Sequence, residues 1–339
     1  MGIKSLTKTI QRFSPDSIQV ENLYKLSGKR VAVDASLVIY QQLLKCPKGK
    51  LFKNSKDKIT NHITGLFYKI MNYVSLNIEL IFIFDGKPPD NKKDCIDLRK
   101  EKCQKAKDSL TSSSTEEERN RVEKASLRLT PEMIDDIKHL LHLMGISYIQ
   151  SDGEGEAIAS ELCRMGFVDY VLTEDMDTMV YGCPKLIRNC TDKSLKRKDI
   201  VSIFDYNKVI EGLQIDHDKF VDFCILCGCD YCPVVPKIGH ITAYKLIQKY
   251  NSIEDIIQNT EYKFPEGYLK LFNDAKINFN LYRDKLKLDD LKINSSTKNI
   301  SDLSKYLIQE IEMNEKRVHS TIKKYHNNYK INNHKINNQ

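Results

Sequence analysis

The chain has 339 residues, 41% of them hydrophobic, which is enough to bury a full core and excludes disorder throughout. No apolar run is long enough to cross a bilayer, and no apolar signal core follows the first lysine, so a soluble, intracellular protein with no membrane partner is expected. Ten cysteines without a secretory signal fit a reducing compartment rather than a disulfide framework, and a net charge of +7 favours a polyanionic partner.

The opening Met1-Gly2 does not make a myristoylation signal, because Leu6 stands where a hydroxyl residue is needed. Residues 30–34 (RVAVD) form the first apolar, β-branched run that ends in an acid, and Tyr40 falls on the short helix expected after it. A helical pattern covers residues 61–74, followed by a second such run at 79–85 (ELIFIFD). Charges dominate 87–128, where apolar residues are too sparse for a core-facing stripe. We read that stretch as a helical hairpin in solvent, broken at 112–115 with Thr115 and Glu118 as a capping box. Residues 131–144 form a helix entered through Thr130 as N-cap with Pro131 at its first position. Strand 146–150 leads into the loop Ser151-Asp152-Gly153-Glu154-Gly155-Glu156, and strand 169–175 ends in TED. Helices prevail after Asp218, notably 220–227 and 241–250. The low-complexity tail 326–339 is expected to be disordered.

Alternating strands and helices predict an α/β fold with a mostly parallel central sheet flanked by helices. The expected division is an α/β domain built from 1–105 and 129–215, with 87–128 inserted, and a helical region from 216 to 325. In an open parallel sheet, ligands bind beyond the carboxyl ends of the strands, where Asp34, Asp85 and Asp175 fall. Glu154 and Glu156 join them from the loop after 146–150, Asp177 follows Asp175 by two, and Asp230 follows helix 220–227. Taken singly, any of these acids reads equally well as a helix cap or a solvated turn residue: Glu154 as a capping-box partner of Ser151, Asp177 as a loop residue. As a set they repel one another unless cations neutralise them. All seven offer hard oxygens and none is histidine, which selects Mg2+, or Mn2+ in its place, over zinc. Two such ions would serve phosphodiester hydrolysis.

The stretches MGIKSL, VAVDASLVIYQ, FIFDGKPP, GEGEAIAS, TEDMDT and VDFCILCGCDYC, in this order, resemble the flap endonucleases of the XPG-like structure-specific 5′ nucleases. The likeness runs from Met1 to about Tyr250 and continues more weakly to about Lys324. It implies a 5′ flap endonuclease with 5′–3′ exonuclease activity, acting at single-strand/duplex junctions of branched DNA in replication and repair. It assigns Asp34, Asp85, Glu154 and Glu156 to one metal ion and Asp175, Asp177 and Asp230 to the other, with Glu156 shared. Lys92 and Arg99 would reach the scissile phosphate, Tyr40 would stack on an unpaired base, Gly2 would lie close to the active site, and the charged hairpin would be the arch through which a free 5′ end threads. On the residues alone, Lys92 also reads as a solvated lysine, Tyr40 as a core tyrosine and Gly2 as a frayed end.

Residues 236–243 resemble the helix-hairpin-helix turn with which this family grips duplex phosphates, with Gly239 in the turn and Lys245 and Lys249 beyond it. Lys237 replaces the first glycine, and Ile241 and Thr242 replace expected basic residues. The run Cys224, Cys227, Cys229, Cys232 has zinc or iron–sulfur spacing, but Cys224 and Cys227 continue an apolar helix face, so core packing is the expectation. No paired aromatics follow Tyr325, so docking to a sliding clamp is not expected, and a monomer is. The basic cluster at 193–198 points to the nucleus, or to the cytoplasm if the chain belongs to a large DNA virus replicating there. Two other readings stay open: a junction-resolving or double-strand-break nuclease of the same fold, and a non-catalytic DNA-binding protein.

Overall fold

A computed structural model describes residues 2–45, 51–89, 92–108, 115, 122, 127–191, 193–195 and 199–324. The break and capping box expected at 112–118, most of the second arm of the hairpin and the tail 326–339 lie outside these. Eight strands are described: β1 (Ile18–Asn22), β2 (Arg30–Asp34), β3 (Glu79–Phe84), β4 (Ser147–Gln150), β5 (Tyr170–Leu172), β6 (Lys185–Asn189), β7 (Ile200–Asp205) and β8 (Ile293–Asn294). The chain forms two compact units made of interleaved segments: Met1–Lys25, Asp85–Cys95 and Ser151–Leu291 in the first, Leu26–Phe84, Ile96–Gln150 and Lys292–Gln339 in the second. The helical region expected over 216–325 is thereby divided at Leu291.

In the first unit the strand order is β1-β7-β6-β5. β5 and β6 run parallel, with Val171 opposite Leu186, whereas β6–β7 and β7–β1 are antiparallel. The sheet is therefore mixed: parallel pairing holds beside β5, which delivers Asp175, and the outer strands close back antiparallel. The helix His217–Cys227 is buried from Phe220 to Cys227 and packs in one cluster with Leu6, Ile10, Phe204, Val209, Phe272 and Phe279. Each fully buried phenylalanine contributes about 1.5–3 kcal/mol relative to exposure. Asp216 caps this helix by accepting from Lys219 N at 2.8 Å, and Gly228, at φ +102°, ends it in a conformation that glycine adopts freely.

In the second unit the order is β2-β3-β4-β8, parallel through β4 and antiparallel at β8. The helices Ala35–Leu44, Asn61–Val74 and Pro131–Met144 bury Ile39, Leu43, Leu66, Phe67, Leu140 and Leu141 with Val31, Val33, Phe82 and Phe84 of the strands. Thr130 Oγ1 accepts from Met133 N at 3.3 Å with Pro131 at the first position, and Gly145, at φ +68°, stops the helix. The helix Lys93–Asp108, in this unit from Ile96 on, lies where the first arm of the charged hairpin is expected. It carries solvent-facing ion pairs such as Lys100–Asp97 and leaves Leu98 56% exposed. No helix among the described residues is long and apolar enough to cross a membrane.

Candidate active site

Two loops of the first unit weld together through their backbones. Gly86 N donates to Gly153 O at 2.7 Å, and Lys87 N donates to Asp152 O at 3.2 Å. A Cβ on Gly86 would lie 2.3 Å from Ser151 O, so only glycine permits this approach. The weld places Asp85 at the start of helix Gly155–Arg164, where its Oδ1 accepts from Gly155 N at 2.8 Å. Glu154 is the formal N-cap residue of that helix, but Asp85 does the capping. The Glu154 carboxylate instead accepts from Lys92 Nζ at 2.7 Å, and Ser151 Oγ accepts from Gly153 N, so Glu154 is not the capping partner of Ser151.

After β5 the chain folds into a tight acidic turn. Asp175 N donates to Thr173 Oγ1 and Asp177 N to Asp175 Oδ1, both at 3.1 Å, which turns both carboxylates inward at 7% and 3% exposure. Glu156, in the first turn of helix Gly155–Arg164, meets them there: carboxylate oxygens of Glu156, Asp175 and Asp177 lie within 4.8 Å of one another. Gly2, at φ +82°, presses its backbone against the same turn, and a Cβ there would fall 1.9 Å from Asp175 Oδ1. Asp230 Oδ1 accepts from Cys95 Sγ at 3.4 Å. The Lys92 ammonium stands 5.7 Å from the centre of the Tyr231 ring, whose hydroxyl is 2.9 Å from that of Tyr181.

Burial and mutual repulsion charge this site with electrostatic cost. Desolvation, then Asp175 and Asp230, push the Asp177 carboxyl well above the usual carboxylate range. Desolvation likewise raises Asp175 and Glu154, the latter despite the opposing Lys92 ammonium. Burial alone would lower Lys92, but Glu154, Glu156 and Asp230 outweigh it and hold the ammonium firmly protonated. Among the described residues no hydrogen-bond donor reaches the buried Asp177 Oδ1. An orphaned carboxylate oxygen inside an all-oxygen donor set fits a hard divalent cation.

Six of the seven expected acids thus fall in the first unit. Asp34 falls in the second, 5% exposed, at the carboxyl end of β2 in register with Ile83. It caps helix Ala35–Leu44 by accepting from Leu37 N at 3.0 Å, with Tyr40 half-buried on that helix. Arg99 lies on helix Lys93–Asp108. In the turn at 236–243, Lys237 adopts φ +68°, so the backbone takes a left-handed conformation despite the replaced glycine. Gly239 begins helix His240–Lys249 with nothing within 4 Å of a built Cβ, and Lys245 and Lys249 are exposed four residues apart on that helix. Sequence reasoning missed Thr173, Cys95 and the Tyr181–Tyr231 pair. A threonine two residues before Asp175 was the one available signal, for a side-chain turn.

The XPG N-terminal domain matches residues 1–106 and the XPG I-region residues 145–230. The chain is 35% identical over 334 residues to flap endonuclease 1 of Candida tropicalis, covering 96% of this chain and 88% of that protein. This chain belongs to the flap endonuclease family. Its fold superposes on flap endonuclease-1 from Methanococcus jannaschii with a TM-score of 0.71 at 29% identity, over 94% of this chain and 98% of that one. The catalytic core of Rad2 in complex with DNA substrate shares the fold, with a TM-score of 0.70 at 22% identity, over 96% of this chain and all of that one. All seven acids, Lys92 and Arg99 lie within the two XPG stretches, while the turn at 236–243 lies beyond both.

Proposed function

We propose that this member of the flap endonuclease family is a structure-specific 5′ flap endonuclease with 5′–3′ exonuclease activity, hydrolysing DNA at single-strand/duplex junctions in replication and repair. The observation that carries this reading is the meeting of Glu156, Asp175 and Asp177 oxygens within 4.8 Å around a buried carboxylate oxygen. Magnesium ions, replaceable by manganese, would be held by Asp34, Asp85, Glu154 and Glu156 on one side and by Asp175, Asp177 and Asp230 on the other, with Glu156 shared. The chemistry such a pair supplies is activation of water and stabilisation of the departing oxygen.

The chain's own residues do the rest. Lys92 stays cationic because three acids raise it, and exchanging its Glu154 partner for a phosphate oxygen would bring a positive charge to the developing negative one. Arg99, on the charged helix, offers a planar fork suited to the same phosphate. Tyr40 supplies a face for an unpaired base, and Gly2, Gly239, Lys245 and Lys249 contact the DNA backbone. The protein acts as a monomer on flap, nicked or gapped duplexes, in the nucleus.

Cleavage of a labelled 5′-flap duplex tests this. Wild type should cut with magnesium but not with calcium or chelator. Asp175→Asn should lose more than the roughly 10–100-fold that outer-shell changes cost at metal sites. Equal cutting by Asp175→Asn would sink the assignment.

A further inference from the structure

Beside the Lys92–Glu154 pair, within the first unit, lies a cavity of about 220 Å³. Its lining includes Tyr231, Tyr282, Asn278, Asp152, Glu154 and Lys87. Tyr282 is seated on Gly153, its hydroxyl 2.7 Å from where a Cβ on that glycine would stand, so the side-chain-free Gly153 leaves room for the ring. The volume is below the roughly 300–1,000 Å³ of pockets for drug-sized ligands, which limits the occupant to a single small ring system. Two acidic residues against one lysine in the lining disfavour a phosphate, and Glu154 already engages Lys92. Aromatic walls suit a flat π-face, and carboxylate and amide oxygens accept hydrogen bonds from exocyclic amino groups.

We infer that this cavity receives the unpaired base adjoining the scissile phosphate and prefers a base bearing an exocyclic amino group, with Tyr282 as the stacking residue and Asp152 as the acceptor. The inference rests on the nuclease reading, and Glu154 ties the two sites together by belonging to both.

The test uses flap duplexes that differ only in the nucleotide on either side of the cut: cytosine, thymine or an abasic residue. Wild type should cut the cytosine flap about tenfold more efficiently in kcat/KM than the abasic one at one of the two positions, the low end of what one stacked base supplies. Thymine should fall between them. Tyr282→Ala should cut cytosine and abasic flaps alike. Asp152→Ala, which removes the acceptor at an exposed position, should keep the preference for a base but lose that for cytosine over thymine. Discrimination unchanged in both variants, or wild-type cutting indifferent to the base at both positions, overturns the inference alone. Failure to cut any flap with magnesium overturns the nuclease reading and takes the inference with it.

Discussion

Asp177 shows what the acidic turn costs when no cation is bound. Its carboxyl is raised well above the ordinary range, by burial first and by Asp175 and Asp230 next. Between its unfolded and folded pKa values the folded state holds a proton that the unfolded chain releases, so stability falls as pH rises through that window and the cost persists above it. Asp177→Asn should therefore stabilise the chelated protein at about pH 8, with the difference closing towards about pH 3, below the unfolded pKa of about 3.9, where the wild-type carboxyl is mostly protonated in both states. Denaturant midpoints at the two pH values check the sign; a variant less stable than wild type at the higher pH refutes this account. The individual roles were only half legible at this scale. A carboxylate two residues from another reads the same whether it lines a site or a turn, and the chain cannot announce that Asp85, 70 positions away, caps Gly155.

Among the elements, β2 and β3 were readable because both faces are buried and their residues run apolar without alternation. β1, exposed along its middle, and β7 went unread, although β7 ends in Asp205 just as β2 ends in Asp34. Asp205 accepts from Lys208 N and pairs with Lys185, and so it is a cap of the ordinary kind. Local pattern alone gives strand-ending acids no label; only their three-dimensional neighbours do. The buried cysteines follow the same logic. Cys224, Cys227 and Cys232 pack in the aromatic core, and burial raises their thiols, which disfavours the thiolates a metal would need. The turn at 236–243 carries its own prediction. Lys237 is exposed at φ +68°, where glycine alone is at ease, so Lys237→Gly should raise the unfolding free energy by about 1 kcal/mol in a denaturant titration. A lower value would mean that the lysine side chain contributes to folding in some other way.

For the whole molecule, the α/β class and the helices 61–74 and 131–144 emerged from periodicity and caps. The interleaving of three segments into each unit did not, because no local signal records which distant segments will pack together. The antiparallel returns at β7 and β8 escaped for the same reason. Since the acids repel until neutralised, magnesium binding should stabilise the folded state by mass action, by about 2.7 kcal/mol when free ion reaches 100 times its dissociation constant. A melting temperature that does not move with magnesium concentration in wild type, or that moves equally in Asp175→Asn, would count against the carboxylate cluster as the binding place.

The contact from Cys95 Sγ to Asp230 Oδ1 gives the protein an internal gauge. Once a cation claims that oxygen, the sulfur loses an acceptor, so alkylation of Cys95 should speed up as magnesium is added. Occupancy of the centre could then be followed by mass spectrometry of one peptide, with no nucleic acid present and no turnover required.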